Sequence, residues 1–348
     1  MSPSAAPGVR GGTQEPPRKK RIGVIGSLVW DVIHGRDTRN APVEEWGGIT
    51  YTLSALDAAL ADDWEIVPIM MVGEDLATRA REFLRTLKRM APDASLMAVP
   101  YPAQRVELRY HSEERRTERL TGGLPAWSWL ALKPLLDEAN VDALLINFLS
   151  GWELDLETTT LIRQHFPGPI HCDLHMMAWA VQPDGLRTLR PIPNIAEWCR
   201  CFDFLQMNED ELAMVAPDPM SLAATAIAAG VSCLFVTLGK RGAIYVAAPG
   251  FDAIDDLPPR TGLSTGPRGA TGGLGAVRTA LMPAESVDDA LDPTGCGDVW
   301  GATYFSRMLA GDKLADAMNA AGKAAARNVG HRGVTGLASH LRGELSLT

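Results

Sequence analysis

The stretch Asp292–Gly301, DPTGCGDVWG, places three glycines, a cysteine and two aspartates within ten residues, directly ahead of the helix-like run ATYFSRMLAG. Gly295 and Gly297 reach backbone conformations closed to other residues, so successive N–H groups can turn the same way. A helix opening near Gly297 adds unpaired N–H donors and the positive end of its dipole. That combination, with Cys296 between the glycines, suits the negative charge developing on a transferring phosphoryl group. Asp298, in the first helical turn, is placed to take the proton of an attacking hydroxyl. The alternative is a plain turn in which Asp298 only favours the helix dipole.

Upstream, short apolar runs alternate with helix-like patterns. RIGVIGSLVWD, EIVPIMMVG, ALLINF, GPIHCDLH, FDFLQMN, VSCLFVTLG and RGAIYVAA read as strands. Helical periodicity marks EEWGGITYTLSALDAALADD, about Asp75 to Met90, LETTTLIRQHF, EDELAMVA, SLAATAIAAG and the last two segments. This alternation predicts an α/β fold, a doubly wound and mainly parallel sheet flanked by helices. Residues 96–121 differ: Val106, Leu108 and Tyr110 share one face and Glu107 and Arg109 the other, which predicts a protruding hairpin. Residues 1–20 read as a disordered leader, with the basic cluster Arg18 to Arg21 as solvated tail. Residues 21–340 form the folded domain, interrupted by a flexible glycine-rich insertion at 260–275.

A net charge of −9 argues against a nucleic-acid partner, which needs a basic face. No run approaches the roughly 20 apolar residues of a membrane span, and the amino terminus lacks an apolar signal core. Five cysteines in no metal-binding spacing fit free thiols and a cytoplasmic location.

In doubly wound sheets, ligands gather beyond the carboxyl ends of the strands. Asp31, Asp173 with His175, Asn208 with Glu211, and Thr237 with Gly239 all fall at such ends. Each alone is as well explained by a helix cap; their accumulation describes one rim. Asp173 and His175 read either as a strand-end cap or as contacts to substrate or metal-bound phosphate. Arg109, Arg115 and Arg116 read as a solvated face of the hairpin or as an attractor of anions.

At this point DPTGCGD resembles the carboxyl-terminal motif D-T-x-G-A-G-D of the ribokinase-like (PfkB) carbohydrate kinases, and the resemblance runs from about residue 21 to the end. GVIGSLVWD resembles the family's opening strand, which implies that Asp31 binds acceptor hydroxyls. EEWGGITYT resembles its glycine-pair segment, implying acceptor contacts from Gly47 and Gly48. LQMNEDEL matches N-x-x-E and implies that Asn208 and Glu211 organise magnesium and phosphate. FVTLGKRG resembles the nucleotide segment, implying roles for Thr237, Gly239 and Gly242. Asn328 lies where the family packs against adenine, or else on a solvated helix surface.

The resemblance thus implies phosphorylation of a hydroxyl on a small-molecule acceptor, with ATP and Mg²⁺. Asp298 is the base, Gly295, Cys296 and Gly297 supply the anion hole, and Asp173 joins the acceptor site. It also implies a small β-lid around 40–50 and 96–123, and allows a monovalent cation and a homodimer paired through the lid. Two departures stand out. Pro293 replaces a threonine, and the glycine-pair segment lacks its usual asparagine, offering Thr50, Thr52 and Ser54 instead. These departures also admit a catalytically silent sugar or nucleotide sensor.

Overall fold

The computed structural model describes residues 18–34, 41–94, 96–110, 116–258, 275–287 and 292–344. The leader up to residue 17, Arg115 and the insertion up to residue 274 lie outside them. The chain opens with β1 (Lys20–Ile25), β2 (Leu28–His34), β3 (Val43–Gly48), α1 (Ile49–Ala59), β4 (Trp64–Ile69) and β5 (Met71–Gly73). Next come α2 (Ala77–Arg85), β6 (Met97–Val99), β7 (Gln104–Tyr110), β8 (Arg116–Thr121), α3 (Trp129–Ala139), β9 (Ala143–Asn147) and α4 (Leu156–His165). They lead to β10 (Ile170–Asp173), β11 (Trp179–Val181), β12 (Arg187–Leu189), α5 (Ile195–Cys199), β13 (Phe204–Asn208), α6 (Glu209–Ala213) and α7 (Pro219–Ala229). The last are β14 (Cys233–Thr237), β15 (Ala243–Ala247), β16 (Arg278–Met282), α8 (Cys296–Leu309), α9 (Leu314–Val329) and α10 (Leu337–Arg342).

The main sheet runs β16-β15-β14-β13-β10-β9-β1-β4. Its strands from β4 to β14 are parallel, and β15 and β16 are antiparallel. Successive side chains point to opposite faces, so each strand feeds two cores. Phe235 joins the core under α8 and α9, whereas Leu234 and Val236 join the core under α4 and α7. The order reverses at β1, which lies between β4 and β9; this switch point opens a cleft beyond the strand ends.

RIGVIGSLVWD is two strands, not one. Gly26 packs against the Ile49 side chain, and the Ser27 hydroxyl donates to Glu153 Oε1 at 2.7 Å, so the chain leaves the main sheet after β1. It resumes in a four-stranded sheet ordered β3-β2-β7-β8, in which β2 is parallel to β7. Asp31 therefore sits on this second sheet rather than at the end of β1. Register pairs Asp31 with Val106 and Leu108 with Glu118, placing Asp31, Val106, Leu108 and Glu118 on one face.

Helix α2 is shorter than the expected span from Asp75 to Met90. The Asp75 carboxylate accepts instead from the Ala103 N–H at 2.9 Å and from Arg105. At the other end Thr86 N–H bonds Phe83 O in a tightened last turn, and Met90 bridges to Ile66. The basic cluster is not all solvated tail either. Lys20 begins β1, while Arg18 pairs with Asp142 at 2.8 Å and Arg21 with Asp93 at 2.9 Å. All five cysteines are free thiols. Among the described residues no helix is long and apolar enough to cross a membrane.

Candidate active site

A cleft of about 360 Å³ lies between the strand ends and the inner face of the small sheet. Its lining brings together Asp31, Gly48, Asp173, Asn208, Glu211, Thr237, Gly239, Gly295, Cys296, Gly297 and Asp298. Three other candidates lie outside it. Gly47 touches it indirectly, since a Cβ there would lie 1.9 Å from Asp31 Oδ2; only glycine leaves room for that carboxylate. Gly242, at φ 102°, packs against Met282 O in the turn into β15. Asn328 is neither on a solvated surface nor in the cleft. It is 1% exposed, and its amide donates to Thr294 O at 2.9 Å beside the Cys296 sulfur, bracing the turn from behind.

The turn itself is built by local chemistry. Asp292 Oδ1 accepts the Thr294 N–H at 2.9 Å, and Gly295 takes φ 73° as the residue before α8. A Cβ on Gly295 would meet the Tyr51 ring at 2.2 Å. The Cys296 N–H is bonded to Pro293 O at 3.2 Å, so its share in an anion hole is reduced. The N–H groups of Gly295 and Gly297 have no acceptor among the described residues. Helix α8 starts at Cys296, one residue earlier than the glycine pattern predicts.

Asp298 is half-buried in the first turn of α8. Its Oδ1 accepts from the Asn147 amide at 2.6 Å and from the Thr52 hydroxyl at 3.4 Å. Burial raises its pKa above the usual carboxylate range, against opposition from His175, Asn147 and Thr52. Thr52 therefore serves Asp298, while the Thr50 hydroxyl is spent on Gly47 O at 2.9 Å and Ser54 is buried. None of the three lines the cleft; Tyr51, between them, does.

Asn208 and Glu211 form a reciprocal cap on α6. Glu211 accepts from the Asn208 N–H at 2.8 Å and its amide at 2.7 Å, and Asn208 Oδ1 accepts the Glu211 N–H. His175 Nδ1 meets Glu211 Oε1 at 2.9 Å, and Asp173 accepts from the Gln206 amide at 2.9 Å. Burial pushes Asp173 up to about 8, with His175 opposing and Glu211 and Asp298 adding. Burial works against a charged His175, but the Glu211 hydrogen bond and the surrounding carboxylates outweigh it and lift the ring to about 9. On the hairpin, Arg109 is exposed and paired with Glu107.

Among the described residues that line it the cleft is acidic: Asp31, Glu118, Asp173, Glu209, Asp210, Glu211 and Asp298 outnumber Arg187 and His175. A polyphosphate entering such a site needs a cation with it, and hard carboxylate oxygens suit Mg²⁺. Among the described residues no three acidic, histidine or cysteine side chains stand close enough to cage an ion directly.

Asn147 was accessible to the strand-end rule that marks Asp173 and Asn208, because it closes β9. Tyr51, Gln206, Glu118 and Arg187 carry no such signal; they reach the cleft through tertiary packing.

Residues 181–340 match the family described as pfkB family carbohydrate kinase. No curated protein matches the sequence. Among solved structures, the ribokinase of Thermotoga maritima superposes with a TM-score of 0.66 at 17% identity, over 93% of this chain and 98% of that one. Arabidopsis thaliana ribokinase, solved with ribose and ATP, gives 0.63 at 16% identity over 94% and 99%. A Burkholderia thailandensis nucleoside kinase, solved with inosine, gives 0.61 at 14% identity over 91% and 94%. Residues 181–340 thus resemble the pfkB family of carbohydrate kinases, and the whole chain has the ribokinase-like fold.

Proposed function

We propose that the protein is an ATP-dependent kinase that phosphorylates a hydroxyl of a sugar, nucleoside or related small molecule. The observation that carries this reading is Asp298, held by Asn147 and Thr52 beside the open N–H groups of Gly295 and Gly297, at a cleft that Asp31 enters from the opposite sheet. Asp298 takes the proton of the acceptor hydroxyl. The acceptor oxygen bonds to the γ-phosphorus as the bond to the β–γ bridging oxygen breaks, giving a phosphate monoester and ADP. Gly295 and Gly297 donate to the transferring phosphoryl oxygens. Thr237 and Gly239 line the nucleotide side, and Asp31 with Gly48 and Asp173 the acceptor side. Asn208 and Glu211 would hold Mg²⁺ through water, where the ion neutralises phosphate charge. The small sheet acts as a lid that excludes water.

The test is an ATP-consumption screen across sugars, nucleosides and sugar phosphates, with Asp298→Asn as control. Acceptor-dependent ADP formation that vanishes in the control supports the reading. Binding of an acceptor without ADP formation would favour the silent sensor.

Gly47→Ala tests Asp31. A methyl there must push the buried Asp31 carboxylate aside, so KM for the acceptor should rise at least about tenfold in a variant shown to be folded by circular dichroism. An unchanged acceptor KM argues against Asp31 as a binding residue.

The pH profile is a separate check. Asp298 must be ionised to act, so kcat/KM is retained above its pKa and lost as pH falls through it; burial places this acid limb above the ordinary carboxylate range. The Asn147 amide stabilises the anion, so Asn147→Leu should move the limb further toward alkaline pH. A limb that stays put in the variant removes Asn147 from this role.

A further inference from the structure

Side chains alternate along β13, so Gln206 shares with Phe204 the face turned to α8 and α9. Phe204 is fully buried there, and the register of β14 sets Phe235 of the same core opposite Gln206. The pattern calls for an apolar residue at 206, yet the chain places an amide that is 2% exposed. Its Nε2 donates to Asp173 Oδ2 at 2.9 Å and to Gly297 O at 3.0 Å. Both partners are acceptors, so the amide has one orientation, with Oε1 turned toward α8. There Oε1 is buried without a donor. A Cβ on Gly301 would stand 2.3 Å from it, so α8 keeps a glycine in its second turn.

An interior glycine weakens a helix relative to alanine, and an orphaned carbonyl oxygen is a second loss at the same contact. Local rules broken together at one point mark a group kept for its use. That use lies in what Nε2 joins. Asp173 lines the cleft at the end of β10, and Gly297 carries one of the two open N–H groups of the turn. The other bond to Asp173, from the His175 N–H to Oδ1, is long at 3.3 Å. Gln206 lines the cleft as well, but its N–H groups are spent and its oxygen faces the helix. It therefore works through its neighbours, setting which edge of the Asp173 carboxylate faces the cleft and how far it stands from the Gly297 N–H.

We infer that Gln206 is a positioning residue that locks Asp173 to the first turn of α8, and that residue 301 is glycine to make room for it. The effect on turnover rests on the kinase reading; the match between the two residues does not. The test compares full-length wild type, Gly301→Ala, Gln206→Ala and their double variant, with Gln206→Met beside them. Thermal midpoints are measured on all five. Turnover is measured with whichever of D-ribose, D-fructose, adenosine and inosine wild type phosphorylates fastest, or with the best acceptor of the wider screen. Methionine keeps the volume of glutamine without its N–H groups. Gln206→Met should hold the midpoint within about 3 °C while kcat falls about ten- to hundredfold and KM for ATP stays within about twofold. Were Gln206 only a filler of space, kcat would be kept along with the midpoint.

Gly301→Ala lies outside the cleft lining, yet it should lower both the midpoint and kcat, the latter at least about fivefold, because the methyl group drives the amide off its partners. In the Gln206→Ala background the same substitution should raise the midpoint and cost no further kcat, since the methyl enters vacated space and alanine favours the helix. Unchanged kcat in folded Gln206→Met overturns the positioning role. A Gly301→Ala shift of equal sign and size in both backgrounds overturns the match. Wild type that forms no ADP across the whole screen sinks the kinase reading alone, and the sign of the midpoint shift in the two backgrounds then decides whether Gly301 is kept for Gln206.

Discussion

Asp298→Asn is expected to lower kcat by about 10²–10⁴-fold while leaving KM for ATP nearly unchanged. The substitution is close to isosteric, and an asparagine oxygen can still accept from Asn147 and Thr52, so the turn and the helix behind it should survive. What disappears is the only function that a neutral amide cannot supply, taking a proton from the acceptor hydroxyl. The effect should fall on kcat because the proton moves as the new bond forms, not when the acceptor docks. Steady-state kinetics with the acceptor found by the screen decide the matter. Turnover within about threefold of wild type would mean that no base is needed at this position.

Gly295→Ala is expected to cost about 10²–10³-fold in kcat, the loss typical of a missing oxyanion donor. Two constraints meet at this residue. Its φ of 73° disfavours any side chain, and a methyl group would strike the Tyr51 ring at 2.2 Å. Tyr51 is 2% exposed and cannot swing away, so the turn must open and carry the Gly295 and Gly297 N–H groups off their line. Removing the ring relieves one constraint and leaves the other. The double variant Gly295→Ala/Tyr51→Ala should therefore lose less than the sum of the two single losses. Strict additivity in that cycle would show that the ring and the turn act independently.

The sheet and much of its rim are legible in the sequence for one reason. Parallel strands buried on both faces read as short apolar runs, and polar residues that end such runs stand out. Asp173, Asn208 and Thr237 are visible this way. The residues that hide are set by the path of the chain between elements. Gly26 and Ser27 divide one apolar run between two sheets, which carries Asp31 to the far side of the cleft from where a single strand would put it. Tyr51 lies between two threonines that look more like ligands, yet the helix turns Tyr51 to the cleft and Thr52 toward Asp298. Asn328 is polar and helical, as a surface residue would be, and only the packing of α8 on α9 buries it. Arg187 sits in a three-residue strand with no periodicity to mark it.

The hairpin of β11 and β12 (residues 179–189) docks on the outer edge of β8, with a bearing on solubility. An exposed strand edge is a row of unsatisfied backbone groups, ready to recruit any other extended chain. On β8 part of that row is taken by Gly185 and bridged at Leu186, with the Arg119–Asp184 pair placing charge over the same border. Among the described residues, β3 is then the side of the four-stranded sheet with no neighbouring strand. Its sequence VEEWGG guards that side with two adjacent glutamates, whose repulsion resists a second copy laid alongside in the same register.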